Sequence, residues 1–299
     1  MKSKKTFQRI AAVDIGTNAI KFKQFRIRTS KNLYPIELDT FKRINLRLGQ
    51  DVFETNRISE ESEKRLIQEL KNLTNKVRKR KIEWAGICAT SATRNALNGT
   101  EVCSKIEEAC QTPVNILSGK QEAYYLRDAN TRKIENLNKP IYVDVGGGST
   151  EIYMRNSSEE FYESFDLGAV RIMKGKDSTK EWEKLKAFLN VVKKNNADAL
   201  VGIGGNIRRI FKILELQKNS PLELKKFEEI RNNLSKIPII DRVNLYGLAA
   251  DRADVIVPAS DIFSYILKHS NINKLFAIDW GICDALAYEY LNDKLCLFF

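Results

Sequence analysis

The sequence predicts an α/β fold built from two related domains. Strand-like segments alternate with amphipathic helical segments along the chain, which is the pattern of layered α/β proteins. A strand, an Asp-x-Gly turn and a second strand occur near the N-terminus, and the same arrangement returns about 130 residues later. The 299 residues are enough for two domains that each bury a core of their own.

The first copy of this repeat lies within residues 10–27. The apolar stretch Ile10–Val13 is predicted to be a short buried strand that ends in the turn Asp14-Ile15-Gly16-Thr17-Asn18. A second strand is expected over Ala19–Ile27. In this copy the predicted turn therefore joins two neighbouring strands.

The second copy has the same order of elements. Ile141–Val143 is a predicted strand that leads into Asp144-Val145-Gly146-Gly147-Gly148-Ser149-Thr150, and Glu151–Met154 is the strand after it. The polar stretch Asn130–Lys139 between the copies is the predicted boundary. It gives an N-terminal domain over residues 1–130 and a C-terminal domain over residues 131–299.

Helices are predicted between these signals. In the first half Ser59 is the expected N-cap of a helix whose apolar residues are three or four positions apart. These residues are Leu66, Leu70, Leu73 and Val77. A short helix is expected over Ser91–Leu97, and Ser118 and Gln121 form a predicted capping box that places Glu122 in the first turn of the next helix.

The second half continues the alternation. Residues 182–192 carry the apolar spacing of a core-facing helix, and Leu200–Ile203 is a predicted buried strand. This strand meets Gly204-Gly205, after which Asn206 is the expected cap of a helix through Leu216. Residues 224–234 repeat the spacing of a core-facing helix.

The charge balance favours an anionic partner. The formal net charge is +12, which suits nucleic acid, a membrane surface or a polyphosphorylated ligand. The densest basic run, Lys76–Lys81, is interpreted as a solvated helix end, and we find no zinc finger, aromatic-rich RNA motif or basic zipper in the sequence. The apolar runs are far shorter than the roughly 20 residues that a membrane helix needs. We therefore expect neither nucleic acid nor membrane as partner, and a cytoplasmic location.

The few cysteines and the single histidine limit the catalytic mechanisms that the sequence allows. The five cysteines contain no Cys-x-x-Cys pair, so they are expected to be reduced and mostly buried. The single histidine, His269, falls at the end of a predicted helix, where a surface position is expected. The role of general base is therefore expected to fall to a carboxylate.

Both Asp-x-Gly turns have the composition of a phosphate-binding site. Glycine lets the chain approach an anion, and successive backbone N–H groups form a nest for phosphate oxygens. Thr17, Ser149 and Thr150 add hydroxyl donors, while Asp14 and Asp144 leave the ends of strands beside the turns. Two carboxylates next to phosphate suit Mg²⁺, which takes oxygen ligands and keeps several waters.

Seven segments, spread over nearly the whole chain, resemble the motifs of one known family. They are Asp14–Asn18, Arg47–Gly49, Ala89–Asn98, Leu117–Ala123, Asp144–Glu151, Leu167–Arg171 and Arg252–Pro258. The family is that of the exopolyphosphatases and guanosine pentaphosphate phosphohydrolases, within the actin–sugar kinase–chaperone ATPase superfamily. The resemblance implies two ribonuclease-H-like domains of the actin-like ATPase type with a cleft between them, and it allows a homodimer.

The resemblance also implies roles for the matching positions. Glu122 aligns with the carboxylate that orients or deprotonates the attacking water, and Asp144 and Glu151 align with acidic residues around the metal and the water. These three are the expected catalytic residues, and the expected ligands of Mg²⁺ are Asp144, Asp14 and Glu151. The expected phosphate-binding residues are Asp14, Gly16, Thr17, Asn18, Arg94, Gly146, Gly147, Gly148, Ser149 and Thr150.

Four places depart from the family pattern. Ala19 stands where serine is usual and Lys21 where arginine is frequent, and Gly204-Gly205-Asn206 replaces Gly-Gly-Thr. Gly281-Ile282-Cys283-Asp284-Ala285 stands where many relatives have Gly-Leu-Arg-Glu-Gly. These departures bear on substrate choice more than on fold, because the missing arginine at Cys283 is expected to weaken binding of a long or nucleotide-linked substrate.

The implied reaction is hydrolysis of a terminal phosphoanhydride of inorganic polyphosphate or guanosine pentaphosphate (pppGpp), with release of orthophosphate. Two alternatives stay open at this point. An actin-like ATPase or small-molecule kinase shares the layout with two Asp turns. A non-catalytic sensor of polyphosphate or a guanosine alarmone is favoured by the altered motif at Gly281–Ala285.

Overall fold

The structure, a computed structural model, describes residues 7–28, 36–131, 134, 137–217 and 219–296. The described residues form two compact units. The first unit comprises the chain up to Leu117 together with the segment from Ile282 onward, and the second comprises Ser118–Gly281. Parts of the polar stretch Asn130–Lys139, the residues Met1–Lys5 and the side chain of Cys296 lie outside the described part. The predicted domain boundary and the predicted cleft between the domains stay predictions.

The first unit contains a five-stranded sheet in the order β3-β2-β1-β4-β5. Its strands are β1 (Phe7–Ile15), β2 (Ile20–Arg28), β3 (Ile36–Ile44), β4 (Glu83–Ala89) and β5 (Asn115–Ile116). Its first helices are α1 (Leu48–Thr55), α2 (Glu60–Lys79), α3 (Ser91–Asn95) and α4 (Gly99–Cys110). The three strands β1, β2 and β3 form an antiparallel meander, whereas β4 runs parallel to β1 on its other side.

The second unit contains a six-stranded sheet in the order β10-β11-β9-β6-β7-β8. Its strands are β6 (Pro140–Val145), β7 (Thr150–Arg155), β8 (Glu160–Phe165), β9 (Ala199–Ile203), β10 (Leu222–Glu223) and β11 (Lys274–Ala277). Its helices are α5 (Gly119–Tyr124), α6 (Ala169–Met173), α7 (Thr179–Lys194), α8 (Gly205–Ile213), α9 (Leu224–Lys236), α10 (Ile239–Tyr246), α11 (Ala250–Ala253) and α12 (Ile256–Ser270), with a 3₁₀ helix at Arg127–Thr131.

The two sheets repeat one arrangement. In the second sheet β6, β7 and β8 form an antiparallel meander, and β9 runs parallel to β6 on its other side. This is the order of β1, β2, β3 and β4 in the first sheet. The predicted α/β class is therefore confirmed, and the internal repeat seen in the sequence corresponds to a repeated strand topology.

Two of the predicted helix N-caps are confirmed and a third is wrong. The side chain of Ser59 accepts a hydrogen bond from the Ser62 amide at the start of α2, and Ser118 and Gln121 form the capping box at the start of α5. The predicted cap at Asn206 is wrong, because α8 begins at Gly205 behind Gly204, whose φ of 90° favours glycine at the strand-to-helix turn. This helix also ends at Ile213, three residues before the predicted end.

The cores of the units follow the predicted apolar spacing. Leu66, Leu70, Leu73 and Val77 are buried along one face of α2. The cysteines Cys88, Cys103, Cys110 and Cys283 are reduced and buried, as expected. In the described part of the chain, no helix is both long enough and apolar enough to cross a membrane.

The last helix, α13 (Ile282–Cys296), packs on the sheet of the first unit, against β1, β4 and β2. An ion pair fixes its first turn, since the Lys23 ammonium lies 2.7 Å from the Asp284 carboxylate. Both side chains are almost fully buried, with 7% and 2% of their surface exposed. A buried pair of this kind is costly to break, because the charge that remains loses both water and its partner.

We expect the substitution Lys23→Met to lower the free energy of unfolding by about 3–5 kcal/mol, because it leaves the Asp284 carboxylate buried without its cation. The double variant Lys23→Met/Asp284→Leu should recover most of that loss. Urea unfolding of Lys23→Met, Asp284→Leu and the double variant measures the three values. A double variant that loses as much as the sum of the two single variants would show that the pair is not coupled.

Candidate active site

The β6–β7 hairpin brings two acidic residues face to face. Asp144 near the end of β6 lies directly opposite Glu151 at the start of β7 in the antiparallel ladder. Opposite residues of such a ladder present their side chains on the same face, with Cβ atoms about 5 Å apart. The turn between the strands is closed by the Gly146 amide, which donates to the Ser149 carbonyl at 3.0 Å.

The segment that enters α6 holds the turn in place. The Ala169 amide donates to the Gly146 carbonyl, the amides of Val170 and Arg171 donate to the Gly147 carbonyl, and the Arg171 side chain donates to the Gly148 carbonyl at 2.8 Å. The Thr150 hydroxyl adds a bond of 2.5 Å to the Leu167 carbonyl. The motif Leu167–Arg171 is thus the support of the glycine turn.

Gly168 has to be glycine for this contact. A Cβ atom at this position would lie 2.4 Å from the backbone carbon of Gly148 and 2.5 Å from the Gly147 carbonyl oxygen. Both distances are far below van der Waals contact, so any side chain would push the turn away. The close approach of two backbone segments therefore fixes the shape of the turn.

Glu151 is buried in an anionic environment. Burial raises the pKa of its carboxyl group well above the usual range, and the nearby carboxylates of Glu122 and Asp144 raise it further. Hydrogen bonds from Ser149 and Ser164 act in the opposite direction, the Ser164 hydroxyl lying 2.8 Å from the carboxylate. The three carboxylates thus form one electrostatically coupled group within the second unit.

Glu122 reaches this group from α5. The helix packs on β7 and β8, and its capping box fixes the N-terminal turn in which Glu122 lies. The residue is only 7% exposed. The capping motif and the strand pairing together bring Glu122 and Glu151 close, although they are distant in the sequence.

Asp144 lies against the turn that begins α8. A Cβ atom at Gly204 would be 2.6 Å from the Oδ1 atom of Asp144, so the absence of a side chain leaves room for the carboxylate. The positive end of the α8 dipole is on this side and favours a negative group there. Arg252 supports the turn through a bond of 3.0 Å from its guanidinium to the Gly205 carbonyl.

The β1–β2 hairpin of the first unit has the same type of turn as the β6–β7 hairpin, but its aspartate faces a lysine instead of a glutamate. The Gly16 amide donates to the Ala19 carbonyl at 3.1 Å, and Asp14 lies opposite Lys21 in the ladder. The Lys21 ammonium is 2.9 Å from Oδ2 of Asp14. Oδ1 of Asp14 is buried and has no hydrogen-bond partner within the described chain, which leaves it for a ligand or water.

Two further motif segments of the first unit contact this turn, and the predicted residue Arg94 lies on the helix within one of them. Gly49 approaches it closely, since its amide donates to the Thr17 carbonyl at 2.9 Å. The Thr90 amide, at the start of α3, donates to the Ile15 carbonyl at 3.1 Å. Arg94 on α3 donates to the Leu117 carbonyl at 2.6 Å, so its guanidinium is held at the edge of the unit's sheet.

Cys283 lies in the motif Gly281–Ala285, where the family resemblance led us to expect arginine. Its thiol lies 3.6 Å from the Ala12 carbonyl and 3.5 Å from the Lys21 carbonyl, so it packs against the backbone of the first hairpin. Burial raises the pKa of this thiol, and the neighbouring Asp14 carboxylate adds to the effect. Cys283 is therefore a neutral packing group and offers no charge to a ligand.

The donor set of the second unit fits a hard divalent cation. No three acidic, cysteine or histidine side chains in the described ranges converge closely enough to ligate one metal ion together. Glu122, Asp144 and Glu151 nevertheless accumulate negative charge at one turn, and a cation would relieve it. Mg²⁺ usually takes one or two carboxylates and completes its shell with water and phosphate oxygens, so it needs no full protein cage.

Sequence reasoning missed three contributors to this arrangement. Lys21 neutralises Asp14, Ser164 donates to Glu151, and Gly168 supports the glycine turn. The register of the two hairpins was the available signal for Lys21, since it stands seven residues after Asp14, as Glu151 stands after Asp144. Ser164 lies on another strand, and nothing in the sequence pairs it with Glu151.

Comparison with known proteins places the chain in a family context. The sequence profile of the Ppx/GppA phosphatase family matches residues 40–294. A bifunctional 3-dehydroquinate synthase/phosphatase of Fusobacterium nucleatum is 28% identical over 297 residues, which cover 90% of this chain and 44% of that protein. The chain thus spans less than half the length of this relative.

Solved structures share the fold. The Ppx/GppA family member of Aquifex aeolicus superposes with a TM-score of 0.77 at 22% identity, covering 97% of this chain and 99% of its own. An exopolyphosphatase from Cytophaga hutchinsonii gives a TM-score of 0.81 at 21% identity, with 96% and 98% covered. These similarities confirm the predicted two-domain fold of the ribonuclease-H-like, actin-like type.

We expect Gly168→Ala to destabilise the protein by about 1–3 kcal/mol, because the added methyl group overlaps the backbone of Gly147 and Gly148. Amide hydrogen exchange at Ala169 and Val170 should accelerate as their bonds to the turn loosen. Gly175→Asn is the matched control, since that site is open and its φ of 62° suits asparagine. Unchanged exchange at Ala169 in Gly168→Ala would contradict the role of Gly168.

The raised pKa of Glu151 predicts a pH dependence of stability. Between the unfolded and the folded pKa the folded protein binds more protons, so stability is lost as pH rises through this window. Metal-free Glu151→Gln should therefore exceed the wild type in unfolding free energy at neutral pH and match it in acid. Urea unfolding in EDTA at several pH values checks this, with Glu159→Gln as the exposed control. Parallel pH profiles for Glu151→Gln and wild type would refute it.

Proposed function

The chain belongs to the Ppx/GppA phosphatase family, and we propose that it is a Mg²⁺-dependent phosphatase that removes terminal phosphates from inorganic polyphosphate or guanosine pentaphosphate. The observation that carries the proposal is the coupled group Glu122, Asp144 and Glu151 beside a glycine turn. A terminal phosphate, a cation and a water are the three ligands that such a site suits. The exopolyphosphatase of similar fold supports the choice of a condensed phosphate as substrate.

In the proposed reaction the terminal phosphate lies on the turn of Gly146, Gly147 and Gly148. The hydroxyl groups of Ser149 and Thr150 donate to Glu151 and to the Leu167 carbonyl, so their proposed part in phosphate binding requires an exchange of these partners. Glu122 orients the attacking water and takes its proton. The water oxygen forms a bond to phosphorus while the bridging P–O bond breaks, which releases orthophosphate and the shortened chain. Phosphoryl transfer of this kind depends mainly on position and charge neutralisation, which a rigid turn supplies.

Asp144 and Glu151 are the proposed holders of Mg²⁺, with Asp14 contributing through its Oδ1 atom. When bound, the cation would neutralise the charge of the phosphate oxygens. Glu151 loses its proton more readily beside a cation, so its raised pKa in the metal-free protein is consistent with this role. Asp14, Gly16, Thr17, Asn18 and Arg94 of the first unit are proposed to bind further phosphate oxygens.

Of the other functions considered, neither gains support. The family profile is that of phosphatases, which does not favour a kinase. A sensor without turnover would not need Glu122, Asp144 and Glu151 in one coupled group. A cytoplasmic location and a homodimer remain predictions from the sequence.

The test is release of orthophosphate from polyphosphates of several lengths and from guanosine pentaphosphate, with Mg²⁺ and with EDTA. We expect release with Mg²⁺ and a loss of at least about 100-fold in EDTA. Binding without release would favour a sensor. Transfer of phosphate to an added alcohol would favour a kinase. Comparison of the two substrates under one condition gives the preference that the chain has between them.

Glu122→Gln is expected to lower kcat by roughly 10²–10⁴-fold, the usual contribution of a general base, while KM changes little. Glutamine keeps the shape of the side chain but accepts no proton at neutral pH. Glu159→Gln, an exposed change in the same unit, should leave kcat unchanged. A Glu122→Gln variant as active as the wild type would remove Glu122 from the mechanism.

A further inference from the structure

The second unit contains a cavity of about 470 Å³ at the end of the β6–β7 hairpin that is remote from the glycine turn. It opens beside Pro140, the first residue of β6, and Arg155, the last residue of β7. Strands rise by about 3.3 Å per residue, so the cavity lies roughly 17 Å from the turn. Its volume is within the usual range of small-molecule sites. The proposed reaction makes no use of it.

Cations dominate the lining. Arg127, Lys139 and Arg155 all face the cavity, and none of its described lining residues is acidic. Three carboxylates lie close to this lining: Asp128 is 3.2 Å from Arg127, Glu160 is 3.9 Å from Arg155, and Asp198 accepts hydrogen bonds from the backbone amides of Asn138 and Lys139 at 2.8 and 3.2 Å. The Arg155–Glu160 distance is at the limit of an ion pair, and the Arg155 side chain is 68% exposed. Lys139 contacts a carbonyl, that of Asn195, at 3.5 Å.

Buried tyrosines give this cavity firm walls. Tyr142 and Tyr153 line it, and their ring centroids are 6.4 Å apart. Tyr153 stacks on Tyr162, which contacts Tyr124, and Arg127 lies 4.4 Å from the centre of the Tyr124 ring. Such a stack holds Arg127 in place before a ligand arrives, which lowers the entropy lost on binding.

The tyrosine hydroxyls remain protonated at neutral pH. Burial raises the pKa of Tyr142 to about 12, and the Asp198 carboxylate adds to the effect. Burial and a hydrogen bond to Glu160 raise the pKa of Tyr153 as well. The tyrosine side chains therefore bring no negative charge of their own, and the charged side chains that line the cavity are all cations.

We propose that this cavity is a second anion site, which binds a short chain of linked phosphates, either an inorganic oligophosphate or the phosphate tail of a nucleotide. Arginine binds phosphate oxygens in a bidentate manner and lysine acts as a point charge, so two arginines and a lysine suit adjacent phosphates. The site does not depend on the proposed reaction, because it shares no residue with the coupled carboxylates.

The test is a titration of the full chain in EDTA with tripolyphosphate and, separately, with adenosine triphosphate. Backbone amide NMR shifts of Lys139, Asn156 and Ser157 report on the cavity, whereas those of Gly147 and Gly148 report on the turn. The variant Lys139→Gln/Arg155→Gln removes two exposed cations and should remain folded. Lys225→Gln/Lys226→Gln removes the same charge from the exposed face of α9 and is the matched control.

We expect the amides of Lys139, Asn156 and Ser157 to shift saturably in the wild type and in the control. The Lys139→Gln/Arg155→Gln variant should bind at least ten-fold more weakly at this cavity, with the shifts of Gly147 retained. Equal affinity for both ligands indicates the inorganic chain as the source, and ten-fold tighter binding of the nucleotide indicates a nucleotide. Either result supports the site. Unmoved cavity amides with both ligands, or an equal loss of affinity in the control, overturns it.

Discussion

Backbone pairing in the β6–β7 hairpin places Asp144 opposite Glu151. The repulsion between these two acidic residues determines the electrostatics of the site in the second unit. The antiparallel register holds these two residues opposite each other, and burial of Glu151 removes much of the water that would screen their charges. Glu122 joins them from α5 as a third acidic group. The fold thus holds an unfavourable cluster of acidic groups whose cost is offset by the packing of the rest of the unit, as functional sites commonly require.

The two hairpins show how a repeated backbone acquires two functions. Both close their turn with a glycine amide bonded to the carbonyl three residues later, and both place an aspartate at the end of the first strand. The residue opposite that aspartate differs. Lys21 pairs with the aspartate of the first hairpin, whereas Glu151 places a second acidic group beside the aspartate of the second hairpin. One difference at an equivalent position therefore gives the two turns opposite electrostatic surroundings.

The local parts of this structure could be predicted from the sequence, and the contacts between distant segments could not. The strand ends, both Asp turns and the caps at Ser59 and Ser118 are determined by residues that are neighbours in the chain. The sequence pattern therefore predicts them. The cap of α8 was missed because the φ of Gly204 is imposed by the passage from β9. The return of α13 to the first sheet rests on Lys23 and Asp284, which are far apart in the chain. For the site, the acidic residues were named from motifs, but their mutual coupling follows only from the packing of α5 on β7.

The backbone carbonyl groups of the glycine turn all accept hydrogen bonds from the protein itself. Those of Gly146, Gly147 and Gly148 accept hydrogen bonds from the α6 segment, and that of Ser149 accepts one from Gly146. Each of these carbonyl oxygens thus already has a hydrogen-bond donor, which reduces its attraction for a metal or an ammonium group. A peptide whose oxygen is already bonded is also a stronger donor through its nitrogen, because hydrogen bonds in a chain polarise one another. A turn of this kind would favour an anion without carrying a formal charge, and a change in ionic strength should weaken that preference less than it weakens attraction to exposed lysines.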